Sequence, residues 1–217
     1  MSNLPPKPSP NRRGPLIAVV VAAVVALVLV VVAVGSRKKD AAPAVGGVAQ
    51  VHDVTVTGAA LPSYDSKAAP DPAVGTKPPE LAGQTFDGSA VSIVPGGKAK
   101  LVVFIAHWCP HCQAEVPRIV QWLASGSKPA SLDIVAVSTA VSEPRGNYPP
   151  SAWLAKEKFA VPTLTDDTKQ SAAAAWGLSG YPYLVLVKAD GTVAARTSGE
   201  LEIADLDAWV KKGLGLA

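Results

Sequence analysis

The chain has 217 residues, 48% of them hydrophobic and 17% charged, with 20 Lys/Arg against 17 Asp/Glu and two cysteines. Two cysteines are too few for a disulfide-dense scaffold or a four-cysteine zinc site. The whole positive surplus falls in residues 1–75, beside an apolar run, and residues 76–217 are balanced; this excludes a basic nucleic-acid-binding domain.

Residues 1–15 hold five prolines and no hydrophobic period, so they read as a disordered tail. Residues 16–34 run from Leu16 and Ile17 through Ala, Val and Leu alone to Val34. At ~1.5 Å per residue a helix of this length spans about 28 Å, the thickness of a bilayer's hydrocarbon core. It has no polar face to turn to water, as a helix of a soluble domain would need. Its length and the Arg37-Lys38-Lys39 flank favour an uncleaved single-pass anchor over a cleaved signal peptide, for which Ala33 and Gly35 offer a weak cleavage pattern. Positive charge is matched on the two sides of the run and does not orient it.

Residues 35–78 read as a Pro/Ala-rich tether. Pro43, Pro62, Pro70, Pro72 and Pro78 forbid a long helix. One alternating stretch, Val48–Thr57, suits a short strand, and His52 within it reads as solvated. From residue 79 onward strands and helices alternate. Asp87-Gly88 marks a hairpin between Gln84–Phe86 and Ala90–Val94. Leu101–Ala106 is a continuous apolar run of buried-strand length. A helix is predicted from about Cys109 to Ala124, kinked at Pro117, then a strand over Leu132–Ser138 and a Pro-rich loop over 141–150. Next come a helix over 151–159, a short strand at Val161–Leu164, and an alanine-rich helix over Thr168–Trp176 that ends at Gly177. Strands Tyr183–Lys188 and Val193–Thr197 flank the Asp190-Gly191 turn, and a last helix covers about 203–212. This alternation predicts a layered α/β domain over residues 79–217.

The chemistry concentrates in Trp108-Cys109-Pro110-His111-Cys112, where a strand hands over to a helix. Unpaired N–H groups and the helix dipole at such a start favour S⁻ over SH at Cys109. Two intervening residues put both sulfurs on one turn, and Pro110 costs little because its missing N–H would go unpaired anyway. His111, when protonated, adds a positive charge beside the sulfur. Gln113 stands where a haem-attachment motif requires His. The set His107, Cys109, His111 and Cys112 leaves a minor metal-carrier reading open. His107 itself reads as a packing residue rather than a ligand.

From these residues the segment 76–217 resembles the thioredoxin fold, and more narrowly the TlpA/ResA-like membrane-anchored thiol-disulfide oxidoreductases. The apolar strand Leu101–Ala106, Trp108–Cys112, Glu115 and Pro117 carry the resemblance. So do Pro182 in Gly180-Tyr181-Pro182-Tyr183, at the family's cis-proline position, the preceding Trp176-Gly177-Leu178, and the later Asp190-Gly191 turn. The resemblance implies that Cys109 is the exposed nucleophile, Cys112 the resolving thiol, Glu115 a proton shuttle for Cys112, and Pro182 the residue facing the pair. Trp108 and Tyr181 would then touch substrate. Glu115 is alternatively an ordinary helix carboxylate. Three departures stand out: Cys-Pro-His-Cys is the pattern of strongly oxidising DsbA-type proteins, His107 replaces a common Ser or Thr, and Tyr181 is bulky.

The expectation is an extracytoplasmic oxidoreductase without metal or cofactor. It would exchange disulfides with thiol- or disulfide-containing proteins and receive electrons from, or give them to, a membrane electron-transfer partner. Oxidant is favoured slightly over reductase. A metal-handling carrier or a non-catalytic interaction module of the same fold is the alternative.

Overall fold

The computed structural model describes residues 44–45 and 47–216; the tail and the anchor expected over 1–34 lie outside them. Among the described residues no helix is long and apolar enough to cross a membrane. In chain order the strands are β1 (Ala44–Val45), β2 (Val48–Ala49), β3 (Thr55–Thr57), β4 (Glu80–Gln84), β5 (Ala90–Ile93) and β6 (Ala99–Ile105). Helix α1 (Pro110–Ala124) is followed by β7 (Leu132–Ser138), α2 (Pro150–Lys156), β8 (Thr163–Thr165), α3 (Ser171–Ala175), β9 (Tyr183–Val187), β10 (Val193–Ser198) and α4 (Ile203–Gly213). The predicted α/β alternation is therefore present, and α1 runs through Pro117.

The central sheet has the order β10-β9-β6-β7-β8. β6, β7 and β8 are parallel, while β9 and β10 are antiparallel additions. Helix α1 makes the crossover from β6 to β7, as a parallel pair requires. Period-two alternation then sorts the side chains onto two faces. Leu101, Val103 and Ile105 of β6, with Leu184 and Leu186 of β9, join one core with Cys112, Val116, Ile119 and Trp122 of α1 and Leu206 and Val210 of α4. Val102, Phe104, Tyr183, Val185 and Val187 face the other core, with Ala172, Ala173 and Trp176. The second core is completed by Leu81 and Ile93 of the antiparallel sheet β3-β4-β5.

Several elements differ from their predicted limits, among them three that follow α1. The alanine helix is short because Asp166 and Asp167 fix where it begins. Their carboxylates accept the Ala172, Ala173 and Ser171 backbone N–H groups, and Gln170 before it is left-handed at φ 59°. The short strand is shifted to Thr163–Thr165, where it pairs with Ala136–Ser138 of β7. The helix expected over 151–159 starts one residue earlier and ends at Lys156.

The larger correction concerns the tether. From Gln50 to Pro78 the chain packs on the domain and does not hold it at a distance. Gln50 is buried and accepts the Ser151 N–H at 3.1 Å. His52 is half-buried and bonded to Thr165 Oγ1 at 2.7 Å rather than solvated. Leu61 N–H and Tyr64 N–H donate to Ala175 and Gly177 carbonyls at 2.9 and 2.8 Å. Gly177 sits at φ +73°, and a Cβ there would come within 2.3 Å of the Pro62 oxygen; only glycine meets both conditions. The prolines forbid helix but not docking.

An ion pair fastens this segment. The Arg196 side chain is fully buried and its Nε donates to Asp71 Oδ2 at 2.8 Å, with a second contact from Nη2 to Oδ1. The same guanidinium donates to the Pro62 carbonyl at 2.7 Å and to the Tyr183 hydroxyl at 3.1 Å. The Arg196 bond holds the Asp71 carboxyl below the usual range, so the pair's stabilisation is present at neutral pH and is lost as pH falls through that lowered value. Asp71→Ala is expected to cost about 3–5 kcal/mol, because it leaves a buried charge without its partner. The midpoint of urea unfolding checks this, and an unchanged midpoint would mean that the segment is not part of the folding unit.

Candidate active site

Cys109 is the N-cap residue of α1, in extended conformation at φ −76° and ψ 122°. Pro110 opens the helix, and no acidic side chain occupies its first turn. The position follows from β6: the strand is buried to its end, so the chain emerges at the sheet's carboxyl edge and turns into α1 there. The Gln113 N–H donates to the Cys109 carbonyl at 3.0 Å, which closes the first turn. The Cys109 thiol donates a weak sulfur bond to the Tyr181 carbonyl at 3.7 Å.

The two sulfurs are not equivalent. Cys109, expected to be exposed, keeps only 6% of its surface because the Tyr181 loop covers it, whereas Cys112 keeps none. Ala106 N–H donates to the Cys112 sulfur at 3.4 Å. Burial pushes the Cys112 thiol far up, and the nearby Cys109 and Glu115 push it further; the Ala106 bond opposes them. One turn further along α1, on the same face, Glu115 is buried completely. Its Oε2 accepts the Leu201 N–H at 2.8 Å, and its Oε1 has no partner. Burial raises the carboxyl to about 7, against the lowering effects of the Leu201 bond and Arg118. Glu115 is thus no ordinary surface carboxylate. It is a buried acid poised near neutrality beside a thiol that resists ionisation, a combination suited to proton transfer.

The remaining expected residues surround this pair unevenly. The Tyr181–Pro182 peptide is cis. Tyr181 precedes the β9 ladder, whose pairing starts at Tyr183, so its carbonyl can face Cys109. Trp108 is fixed by a 2.8 Å bond from its Nε1–H to the Ala140 carbonyl and packs edge-on against Tyr181 with centroids 5.7 Å apart. His111 points outward: its side chain is 63% exposed and its Nδ1 lies 3.3 Å from Glu200 Oε1. The same Glu200 carboxylate also binds Arg118 at 2.7 Å.

His107 is a structural anchor. Its Nε2 accepts the Ser142 N–H at 3.1 Å, so Nδ1 carries the proton donated to the Gly146 carbonyl at 2.8 Å. Burial lowers its pKa, and both ring nitrogens are committed to protein partners, which leaves none for a metal. Among the described residues no group of three or more His, Cys, Asp and Glu side chains is arranged to hold a metal ion.

Several site residues carry no sequence signal. Glu200 and Leu201 reach His111 and Glu115 from 82 or more positions away. Arg145, in the Pro-rich loop, places its guanidinium carbon 3.7 Å from the Trp108 ring centroid. No local pattern announces these contacts, since each joins a loop to a distant helix start.

Known proteins are similar to this chain in sequence and fold. The Redoxin family matches residues 67–209. A relative from Paracoccus denitrificans, the thiol:disulfide interchange protein DsbE homolog, is 26% identical over 151 residues, covering 67% of this chain and 78% of that protein. The thioredoxin family thiol:disulfide interchange protein of Chlorobium tepidum superposes with a TM-score of 0.52 at 26% identity, over 64% of this chain and 97% of its own. StoA from Bacillus subtilis superposes with a TM-score of 0.51 at 22% identity, over 64% of this chain and 98% of its own, and adds support for the fold alone. The family match begins inside the docked segment, includes the two thiols and ends in α4; on that extent this protein belongs to the Redoxin family and is a thioredoxin-like thiol-disulfide oxidoreductase.

Proposed function

We propose that the protein is a membrane-tethered, extracytoplasmic oxidoreductase that donates a disulfide to protein substrates through Cys109 and Cys112. The asymmetry of the two sulfurs carries this reading: one at the helix cap beneath the Tyr181 carbonyl, the other fully buried next to Glu115. A substrate thiolate attacks Cys109 Sγ of the Cys109–Cys112 disulfide, and the Cys112 sulfur leaves and takes up a proton, with Glu115 placed to supply it. A second substrate thiolate then displaces Cys109, so the substrate leaves oxidised and the pair is left reduced. Two electrons and two protons must pass on to an oxidising partner, and a membrane electron-transfer protein fits a tethered domain. Pro182 has no N–H, and Tyr181 outside the ladder suits an extended substrate segment that adds as a strand.

The oxidising direction is supported by the helix start, which carries no acidic side chain in its first turn; such surroundings stabilise the reduced pair and strengthen its disulfide as an oxidant. Glu115 favours the opposite direction, because a carboxylate near the sulfurs opposes thiolate formation. The apolar run 16–34 ahead of a redox pair supports the extracytoplasmic location, since disulfides persist outside the cytoplasm.

One experiment separates these readings. Intact cells carrying the full chain are treated with a membrane-impermeant maleimide, with or without prior brief reduction from outside. Labelling of Cys109 only after reduction is expected. Labelling without reduction would identify a dithiol donor, and no labelling in either case would place the domain inside.

A further inference from the structure

A cavity of about 310 Å³ opens beside the redox pair, lined by Val51, Trp108, Ser142, Arg145, Asp167 and Gln170 among others. It touches the site on two sides. Trp108 is the residue before Cys109, and Gln170 Oε1 accepts the hydroxyl of Tyr181 at 3.1 Å. The cavity therefore adjoins Tyr181, whose carbonyl accepts from the Cys109 thiol.

Arg145 supplies its uncommitted charge. The guanidinium carbon lies over the Trp108 ring, 3.7 Å from its centroid, and the side chain forms no ion pair among the described residues. The indole it rests on is itself held by the Ala140 carbonyl, so the cation is presented on a fixed plate. Stacking occupies the face of a guanidinium and leaves its edge N–H groups free for a planar, bidentate acceptor. The one acidic side chain of the lining is already engaged. Asp167 Oδ1 accepts the Lys169 and Ser171 N–H groups, each at 2.9 Å, and Oδ2 accepts the Ser171 hydroxyl at 2.7 Å.

We propose that this cavity is a specificity pocket in which Arg145 receives a carboxylate side chain that flanks the reacting cysteine of a protein substrate. The inference rests on the disulfide-exchange reading above and adds to it a substrate class: cysteine-containing segments with a nearby Asp or Glu. An exposed arginine stacked on the residue next to the nucleophile adds little to the fold; as a docking point it selects among substrates that a backbone strand contact would not distinguish.

The test uses the oxidised full chain and three reduced peptides that differ only beside their cysteine, with Glu, Gln or Lys. The second-order rate constant for oxidation is expected to be about fivefold higher for the Glu peptide than for the Gln peptide, the worth of a partly exposed ion pair. That advantage should shrink with added salt. Arg145→Gln should remove it, so that the Glu and Gln peptides react at equal rates, and Arg145→Glu should turn the preference toward the Lys peptide. Equal rates for Glu and Gln peptides with the unaltered protein would overturn the proposal. So would an equal loss on all peptides in Arg145→Gln, which would assign Arg145 to holding Trp108, or an initial preference for Lys, which would assign the pocket to Asp167. Failure of every peptide to react would instead overturn the exchange reading itself, and the pocket with it.

Discussion

Cys112→Ser is expected to stop multiple turnover and to leave Cys109 carrying mixed disulfides with its protein partners. The loss in turnover should be on the order of 10³-fold or more, as when one member of a catalytic unit is removed. The reason is positional. Cys112 is sealed inside the first turn of α1 with no exposed surface, while Cys109 retains 6% and lies beneath the Tyr181 carbonyl. Only the outer sulfur can reach a partner disulfide, and without the inner thiol the mixed disulfide it forms there is not resolved from within the pair. Non-reducing electrophoresis of the variant should show adducts that reductant releases, and none in the double variant Cys109→Ser/Cys112→Ser. Adducts that accumulate in Cys109→Ser instead would reverse the roles. In the reduced protein the same burial predicts alkylation of Cys109 well before Cys112.

Glu115→Gln should produce the second large effect, and it has two signs. In catalysis, Glu115 stands where the proton of Cys112 must go, and its carboxyl titrates at about 7. Below that value it is protonated and can supply the leaving Cys112 with a proton; above it, it is a carboxylate and can only accept one. Steps that protonate Cys112 should therefore slow as pH rises through about 7, and steps that deprotonate it should speed up. Glutamine abolishes both dependences and should cost about 10²-fold in the Cys112 step, the usual worth of a positioned acid or base. Rapid-quench measurement of mixed-disulfide decay from pH 5 to 9 checks this; an unchanged profile would reduce Glu115 to a packing role.

In stability the sign is the opposite. A buried acid whose folded value of about 7 lies above its ordinary 4.5 binds its proton more tightly when folded. The folded protein therefore loses stability as pH climbs from about 4.5 to about 7, and the loss is complete above that range. Its size is on the order of 3 kcal/mol, from the rise between 4.5 and about 7 at roughly 1.4 kcal/mol per pKa unit. Glutamine carries no charge at any pH, so Glu115→Gln should be more stable than the native protein at pH 8 and should lose that advantage at pH 5. Denaturant midpoints at the two values read the difference directly. A variant that is more stable but slower at its buried thiol would be a trade of stability for function at one residue.

The chain's own order of residues announced the redox centre because that centre is local. Cys109, Pro110, His111 and Cys112 lie within four positions at the mouth of one helix, and both the handover from Leu101–Ile105 to α1 and the alternation of apolar residues along β6 and β9 are short-range patterns. Backbone stereochemistry and period-two burial act over a few residues, so sequence alone determined a layered α/β domain with a dithiol at a helix start, while Glu115 was singled out only by the resemblance to the family. It did not show that Glu115 is fully buried, that Tyr181 covers Cys109, or that His111 leans away to Glu200, since each depends on where the chain returns after 70 or more residues. The docked segment 50–78 shows the same division. Its prolines correctly rule out a long helix, but Asp71 finds Arg196 and Leu61 finds Ala175 only once the sheet has assembled a surface for them. Arg145 on Trp108 is the extreme case, an arginine in a Pro-rich loop that gains its place only because the loop after β7 folds back over the helix start. Local preference sets which elements form and where the reactive sulfurs sit; the closing of distant segments on one another decides which sulfur is buried, which acid is held near neutrality and which charge faces the approaching substrate.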